Sequence, residues 1–385
     1  MQQFLFGQQN AAATLAAPYS PLLPPDSAYP LFQPRTPDGA LLVEAISPRA
    51  IDPYTEEYNL NLQRALGRDT LIEVGYVGSR SLHLAGSQMF NQAQLVSPAQ
   101  PFNGATTNTA ANAQQRAPFA GVNETSLIND TRYIADYNSL QMSATRRMRH
   151  GLEFLASYTW GKSLNETNGS NGAEFYELWL YTNDQNNPRQ AYGLTDFDRS
   201  NRGVLSFIYS PPAMRRGSWA ARQALRDWRF SGIMVAQSGT PLTIVDRNAG
   251  AVYGTYPFEH RAQLSGQPLA TGGSMFSRVH STYWNPAAFT SAPTAPFGGP
   301  GDTDFGNAGS GIARGPGQRD VDMAVERSFP VESSALRFRA EFFNLTNSTN
   351  FANPDRTVSD GSAFGTITST ANNPRVVQFA LRYQF

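Results

Sequence analysis

Apolar and polar residues alternate to the very end of this chain. In Arg375-Val-Val-Gln-Phe-Ala-Leu-Arg-Tyr-Gln-Phe385, the residues Val377, Phe379, Leu381, Tyr383 and Phe385 fall on one side of a strand. Gln378, Arg382 and Gln384 fall on the other, because successive side chains of a strand point to opposite faces. The same period predicts strands over Glu56 to Leu66, Thr70 to Gly78, Asn138 to Met148, Leu152 to Trp160, Arg202 to Tyr209, Trp228 to Gln237, Asp320 to Phe329 and Leu336 to Asn344. Each is close to the ~10 residues with which a tilted strand crosses a bilayer.

The segments around Arg149-His150-Gly151 predict a hairpin with a three-residue loop and Gly at a positive φ. If Arg147 faces Glu153, then Ser143 faces Ser157 and Gln141 faces Thr159 on a polar side, while Met142 faces Tyr158 and Leu140 faces Trp160 on an apolar side. Arg146 opposite Phe154 intrudes on the apolar side near the turn, where a long side chain can snorkel, and Leu155 opposite Thr145 is the misfit on the polar side. Val321, Met323, Val325, Leu336, Phe338, Ala340 and Phe342 form the apolar side of the pair joined by Pro330-Val-Glu-Ser-Ser334, with Asp320, Asp322, Glu326, Arg337, Arg339 and Glu341 opposite. A soluble sandwich sorts its residues in the same way, so segregation alone does not separate the two folds.

Connection lengths separate them. Short links around Gly67, Gly151 and Pro330 to Ala335, and a medium one from Ser210 to Asp227, alternate strictly with long ones. The long ones are Ser79 to Tyr137, Gly161 to Asn201, Ser238 to Arg319 and Leu345 to Pro374. Barrels of the outer membrane have short periplasmic turns and long extracellular loops. Tyr58, Tyr76, Tyr158, Trp160, Tyr209, Trp228, Phe329, Phe342, Tyr383 and Phe385 lie near strand ends, as interfacial girdles require. The fold expected is therefore all-β: an antiparallel up-and-down outer-membrane β-barrel, present in part.

Parity places the start of the chain outside the cell unless a tenth strand lies near Ala40 to Ile46. Residues 1–50 are thus expected to be an extracellular, irregular segment, and residues 51–385 the C-terminal portion of a larger barrel. The opening residues, Met1 to Asn10, do not have the basic start and unbroken apolar stretch of a signal peptide.

Composition agrees: among 385 residues only 16% are charged and 12% are aromatic, with 32 Gly and 26 Pro. The net charge is zero and Lys162 is the only lysine, which argues against a nucleic-acid surface. Cysteine is absent, which removes disulfides and thiol chemistry. His83, His150, His260 and His280 are scattered outside metal-ligand spacing and are expected to be ordinary turn or loop residues. There is no nucleophile elbow or P-loop, so no catalytic residue, metal or cofactor is expected. The pairs Asp196/Asp198 and Asp302/Asp304 are expected to be solvated loop acids, and Asp320/Asp322 to face Arg337 and Arg339 in an ion-pair ladder. The sequons at Asn165, Asn168, Asn344 and Asn347 are taken as chance.

Several stretches resemble the barrel of TonB-dependent receptors, in particular the Oar-like group with an N-terminal carboxypeptidase-regulatory-like domain. They include Ile51-Asp-Pro-Tyr-Thr-Glu-Glu-Tyr-Asn-Leu-Asn-Leu-Gln-Arg64, Ile72-Glu-Val-Gly-Tyr-Val-Gly-Ser-Arg80, Tyr137-Asn-Ser-Leu-Gln-Met142 and Ala156-Ser-Tyr-Thr-Trp-Gly-Lys-Ser163. Asp196-Phe-Asp-Arg199, Trp228-Arg-Phe-Ser-Gly232, Gln237-Ser-Gly-Thr-Pro241, Arg337-Phe-Arg-Ala-Glu-Phe-Phe-Asn-Leu-Thr-Asn347 and the last strand extend the resemblance.

The resemblance implies an outer-membrane receptor or transporter for large substrates. Its partners would be outer-membrane lipid, the barrel-assembly machinery, and the N-terminal barrel and plug portion missing here, with TonB reached only through that absent plug. About nine strands are too few for a 22-stranded barrel. Glu73, Arg147, Glu153, Arg202, Arg229, Asp322, Glu326, Arg337, Arg339, Glu341 and Arg382 are expected to face the lumen, and Phe379, Leu381, Tyr383 and Phe385 to form the C-terminal assembly signal. The alternative is a secreted or surface β-rich binding or adhesion protein with no transport role.

Overall fold

The computed structural model describes residues 40–166, 183–212, 218–254, 260–292, 303–331 and 334–385. Nine long strands follow the chain: β1 Tyr54–Leu66, β2 Thr70–Met89, β3 Leu127–Arg149, β4 Leu152–Asn165, β5 Asn201–Tyr209, β6 Trp228–Gln237, β7 Gln318–Val331, β8 Ser334–Phe343 and β9 Val376–Gln384. They lie side by side in sequence order, each antiparallel to the next, in one open sheet whose edges are β1 and β9. All nine expected strands are present, and long and short connections alternate as expected.

Three details differ. Glu44–Ile46 is a three-residue strand running parallel to Leu127–Asn129 at the outer end of β3, so it is not a tenth stave. β2 and β3 extend to 20 and 23 residues, far past Gly78 and Asn138. Their outer halves pack on loops, with Tyr133 and Leu84 against Ala191 and the Met89 amide donating to Gln185 Oε1, and the two-face contrast ends there.

The third difference is the β3–β4 turn. Arg149 pairs with Leu152, which leaves a two-residue turn of His150 and Gly151, both at positive φ (52° and 80°). That is the geometry whose twist matches a hairpin. From Leu140↔Trp160 to Arg146↔Phe154 the register is the expected one, but it then shifts by one residue. The bulge sets Arg147 and Met148 together opposite Glu153, so the expected pairing of Arg147 with Glu153 is not made.

Cross-strand neighbours share a face, and the register sorts most of the sheet into an apolar and a polar face. One continuous row runs Arg146, Phe154, Phe207, Gly232, Met323, Phe342, Val377 across β3 to β9. Leu62, Val74, Met142 and Tyr158 form another row on the same side. This apolar face is open to the surroundings: Leu62, Phe379 and Leu381 are 68%, 67% and 67% exposed. In water each such side chain forgoes about 1.5–3 kcal/mol of burial, whereas in lipid the same exposure is favourable.

The buried core lies elsewhere, among the loops. Ile244, Ala262, Tyr283, Trp284, Phe289 and Ala313 from the β6–β7 loop cluster with Phe364 from the β8–β9 loop. A second cluster joins Ala93 and Ala113 of the β2–β3 loop to Val252, Tyr253 and Phe305. The long loops thus form a packed cap at one end of the sheet.

Candidate functional site

The face opposite the apolar one is polar, and the register carries all but one of the expected lumen residues onto it. Glu73 neighbours Ser143, and Arg202 lies between Thr159 and Gln237. Glu153, Ile208, Ser231, Ala324, Glu341 and Gln378 make one row, Arg229, Glu326, Arg339 and Ala380 the next, and Ser328, Arg337 and Arg382 a third. Arg147 sits in the bulge, yet with Glu153, Asp322, Arg339 and Glu341 it lines a trough of about 630 Å³. Thr145, Ser206 and Ser231 add hydroxyls to this trough; Leu155, the expected misfit opposite Thr145, adds apolar surface, as do Ile208 and Ile233, which alternation alone did not assign to the polar side.

The expected ladder is shifted. The Arg339 Nε donates to Glu341 Oε1 at 2.9 Å and its Nη1 lies 3.6 Å from Glu326 Oε2. Asp322 instead neighbours Ile233 and accepts the Asn344 amide at 2.8 Å, because the β7–β8 register sets it two rows from Arg339. An Arg between two carboxylates with open flanks is a hydrated ion network, worth little as stability but well suited to a polar wall.

At the outer end of the sheet, tyrosine hydroxyls of the apolar face reach polar partners: Tyr58 and Tyr76 donate to Asn138 Oδ1 at 3.1 and 2.6 Å, and Tyr158 donates to Asn201 Oδ1 at 2.5 Å. An apolar ring with a wet tip is what an interface selects. The outer ends of β7, β8 and β9 are held by asparagines. Asn344 Nδ2 donates to Ser348 and Asn373 carbonyls, Asn347 Oδ1 accepts the Arg375 amide, and Asn350 both accepts from and donates to the Arg319 backbone. Asn344 and Asn347 adopt φ of 51° and 50°, a conformation Asn tolerates better than most residues. These sequon asparagines, and buried Asn165, have structural roles, while Asn168 lies outside the described residues.

The cap corrects three expectations, those for Asp198, His260 and Asp304. Asp198 is not a solvated loop acid: it is 3% exposed, pairs with the Arg314 guanidinium and accepts the Ser163 amide at 2.7 Å. With Arg199 Nη1 donating to the Ser238 carbonyl at 2.6 Å, the Asp196-Phe-Asp-Arg199 segment ties the β4–β5 loop to the β6–β7 loop. Asp196 is largely desolvated, and burial pushes its carboxyl up to about 6 against the opposing pull of Arg356. Asp302 lies outside the described residues.

His260 is likewise no ordinary loop histidine. It is buried, its Nδ1 accepts the Asn183 amide at 3.0 Å, and desolvation, reinforced by Arg261, lowers its pKa to about 4. Asn183 also donates to the Gly306 carbonyl and accepts the Arg261 amide, both within the β6–β7 loop. Arg116 is fully buried and donates to the carbonyls of Gln94, Thr109 and Val252 and to Asn112 Oδ1. Asp304, also buried, has its carboxyl raised by desolvation and by Asp246, with the Val252 amide opposing. No sequence periodicity marks these residues, and each matters through contacts distant in sequence. Among the described residues no group of three or more His, Asp or Glu is arranged to hold a metal ion.

Residues 2–378 match the family described as an outer membrane beta barrel domain. Three solved structures are similar over most of the chain. The ferric preacinetobactin receptor BauA of Acinetobacter baumannii is 13% identical, with 86% of this chain and 29% of that one covered at a TM-score of 0.39. FpvA of P. aeruginosa, solved with a pyoverdine and iron, is 10% identical, with coverages of 86% and 27% and a TM-score of 0.40. The outer membrane transporter YddB of Escherichia coli is 9% identical, with coverages of 90% and 34% and a TM-score of 0.42. The chain therefore spans about a third or less of the length of these proteins. No curated protein matches it.

Proposed function

The chain belongs to the outer membrane beta-barrel domain family and resides in the outer membrane, and from that premise we propose that it forms the C-terminal wall of a receptor or transporter barrel of the TonB-dependent kind, within the Oar-like group. In this reading the polar face lines the lumen, where its mixed charges contact a plug or a passing polar substrate. The cap of long loops makes the first contact with a large extracellular ligand. The outward aromatics of β9, with Phe385 at the rim, are the signal read by the barrel-assembly machinery.

The observation that carries the proposal is the row-by-row sorting of the sheet: one face carries an Arg–carboxylate network and a trough, and the other is apolar and open. A trough with exposed Leu155 and Ile233 beside hydroxyls and guanidiniums suits a folded polypeptide occupant better than free water alone. Because the chain has no cysteine, a photoreactive maleimide can be placed at Ser231→Cys alone and activated in cells. Crosslinking to a polypeptide segment is the expected result. Adducts confined to lipid acyl chains would contradict the reading.

A further inference from the structure

The apolar face is not uniformly apolar: near the short turns it carries arginines. Arg64 neighbours Ile72 and Arg146 neighbours Thr70 and Phe154, so both project from the apolar face. Regular alternation would send Arg149 to the opposite side. The bulge between Arg146 and Arg149 turns it outward, since Arg149 pairs with Leu152, whose row continues through Tyr209 and Phe230. The bulge therefore gathers a further guanidinium onto one corner of the lipid-facing surface.

These cations are under-neutralised. Arg149 pairs with Asp69 of the β1–β2 turn, while the carboxylates Glu73 and Glu153 belong to the opposite face. Among the described residues, Arg64 and Arg68, both exposed, form no ion pair, and the buried Nε of Arg146 has no hydrogen-bond partner. The depth is also informative. Arg64 lies two residues and Arg146 three residues from the inner ends of β1 and β3. At ~3.4 Å per residue along tilted strands, this puts their heads within roughly 10 Å of the turns, the level of headgroups rather than acyl chains. Above them Leu62, Val74 and Met142 continue the apolar band.

We propose that Arg64, Arg146 and Arg149 form a binding site for the phosphate of anionic phospholipids in the periplasmic leaflet. Guanidinium donors match phosphate oxygens bidentately, and the neighbouring Ile72, Phe154 and Leu152 offer apolar surface to the acyl chains. Lipid is the occupant favoured over a protein because the site is continuous with the acyl-facing band and carries excess positive charge at headgroup depth.

The test uses the full chain in phosphatidylcholine vesicles containing spin-labelled phosphatidylglycerol or, separately, spin-labelled phosphatidylcholine. The motionally restricted fraction of each probe measures its association with the protein. The wild-type chain should prefer phosphatidylglycerol several-fold, with the preference falling as salt is raised. Arg64→Gln with Arg149→Gln, both exposed positions that fold with little risk, should lose most of it, and adding Arg146→Gln should abolish it. Lys162→Gln, at the opposite end of the same face, should keep it. Equal association of the two probes with the wild-type chain, or a preference that survives the double and triple substitutions, would overturn the proposal.

Discussion

Met142→Arg should destabilise the folded sheet in lipid vesicles by roughly 2–4 kcal/mol, the cost of a guanidinium near the middle of the apolar band of a membrane barrel. Ser143→Arg, one residue further on, should change stability by no more than about 0.5 kcal/mol. Met142 lies in the row of Leu62, Val74 and Tyr158, four residues from Asn138 on the outer side and four from Arg146 on the inner. Ser143 neighbours Glu73 and Ser157 on the polar face, where a new cation gains a carboxylate nearby. Denaturant titration of the two variants in the same vesicles measures the difference. In a soluble sandwich an exposed Arg at either position would cost little.

The second large effect is concealed in the wild-type chain and appears on substitution. His260 has its folded pKa lowered from 6.5 to about 4, so it favours the folded cap while neutral, and that contribution is lost as pH falls from about 6.5 towards 4. Asp196 has its folded pKa raised from 3.8 to about 6, so its burial costs stability once ionised, and that cost is relieved over nearly the same window as pH falls. Each shift corresponds to about 3 kcal/mol, with opposite sign. The two contributions oppose each other, so the wild-type cap should respond only weakly to pH between about 6.5 and 4, with the raised Asp304 carboxyl adding to the relief as pH falls. Asp196→Asn removes that residue's share of the relief, and its stability should fall by about 3 kcal/mol relative to wild type over that range. Denaturant unfolding followed by tryptophan emission, to which buried Trp284 of the cap contributes, provides the readout. A variant as flat as wild type would refute the assignment.

How legible this architecture was in the sequence depends on what each part of the chain faces. Strands between lipid and a polar face must alternate, so Leu140 to Arg146 and Phe154 to Trp160 could be aligned residue for residue from their side chains alone. The bulge was not legible. In Arg146-Arg-Met-Arg149 the alternation has no apolar marker strong enough to register one extra residue, and the pairing of Arg147 with Glu153 was lost to it. The polar face was legible through Glu326, Arg339 and Glu341, and the hairpin register already set Leu155 on it, whereas Ile208 and Ile233, which lie on that face against its polarity, mark the trough only once the full register is known.

The cap was least legible, because a loop core has no period. Arg116, Asn183 and His260 are buried with the help of contacts that reach as far as 136 residues along the sequence, so neither composition nor spacing distinguishes them from surface polar residues. Asp196-Phe-Asp-Arg199 stood out as a motif, but its role as a tie between two loops needed the position of Arg314 and of Ser238.

The central claim is that one face of the nine-strand sheet meets lipid and the other meets water. Its most direct test exploits the absence of cysteine: single cysteines at Val74 and Leu381 on the apolar face, and at Ser157 and Ser231 on the polar face, reacted in outer-membrane preparations with a charged, membrane-impermeant maleimide. Rapid labelling of Ser157→Cys and slower labelling of Ser231→Cys in the occupied trough, with Val74→Cys and Leu381→Cys protected until detergent is added, is the predicted result. Equal labelling of all four without detergent, or protection of the polar-face pair alone, would contradict it.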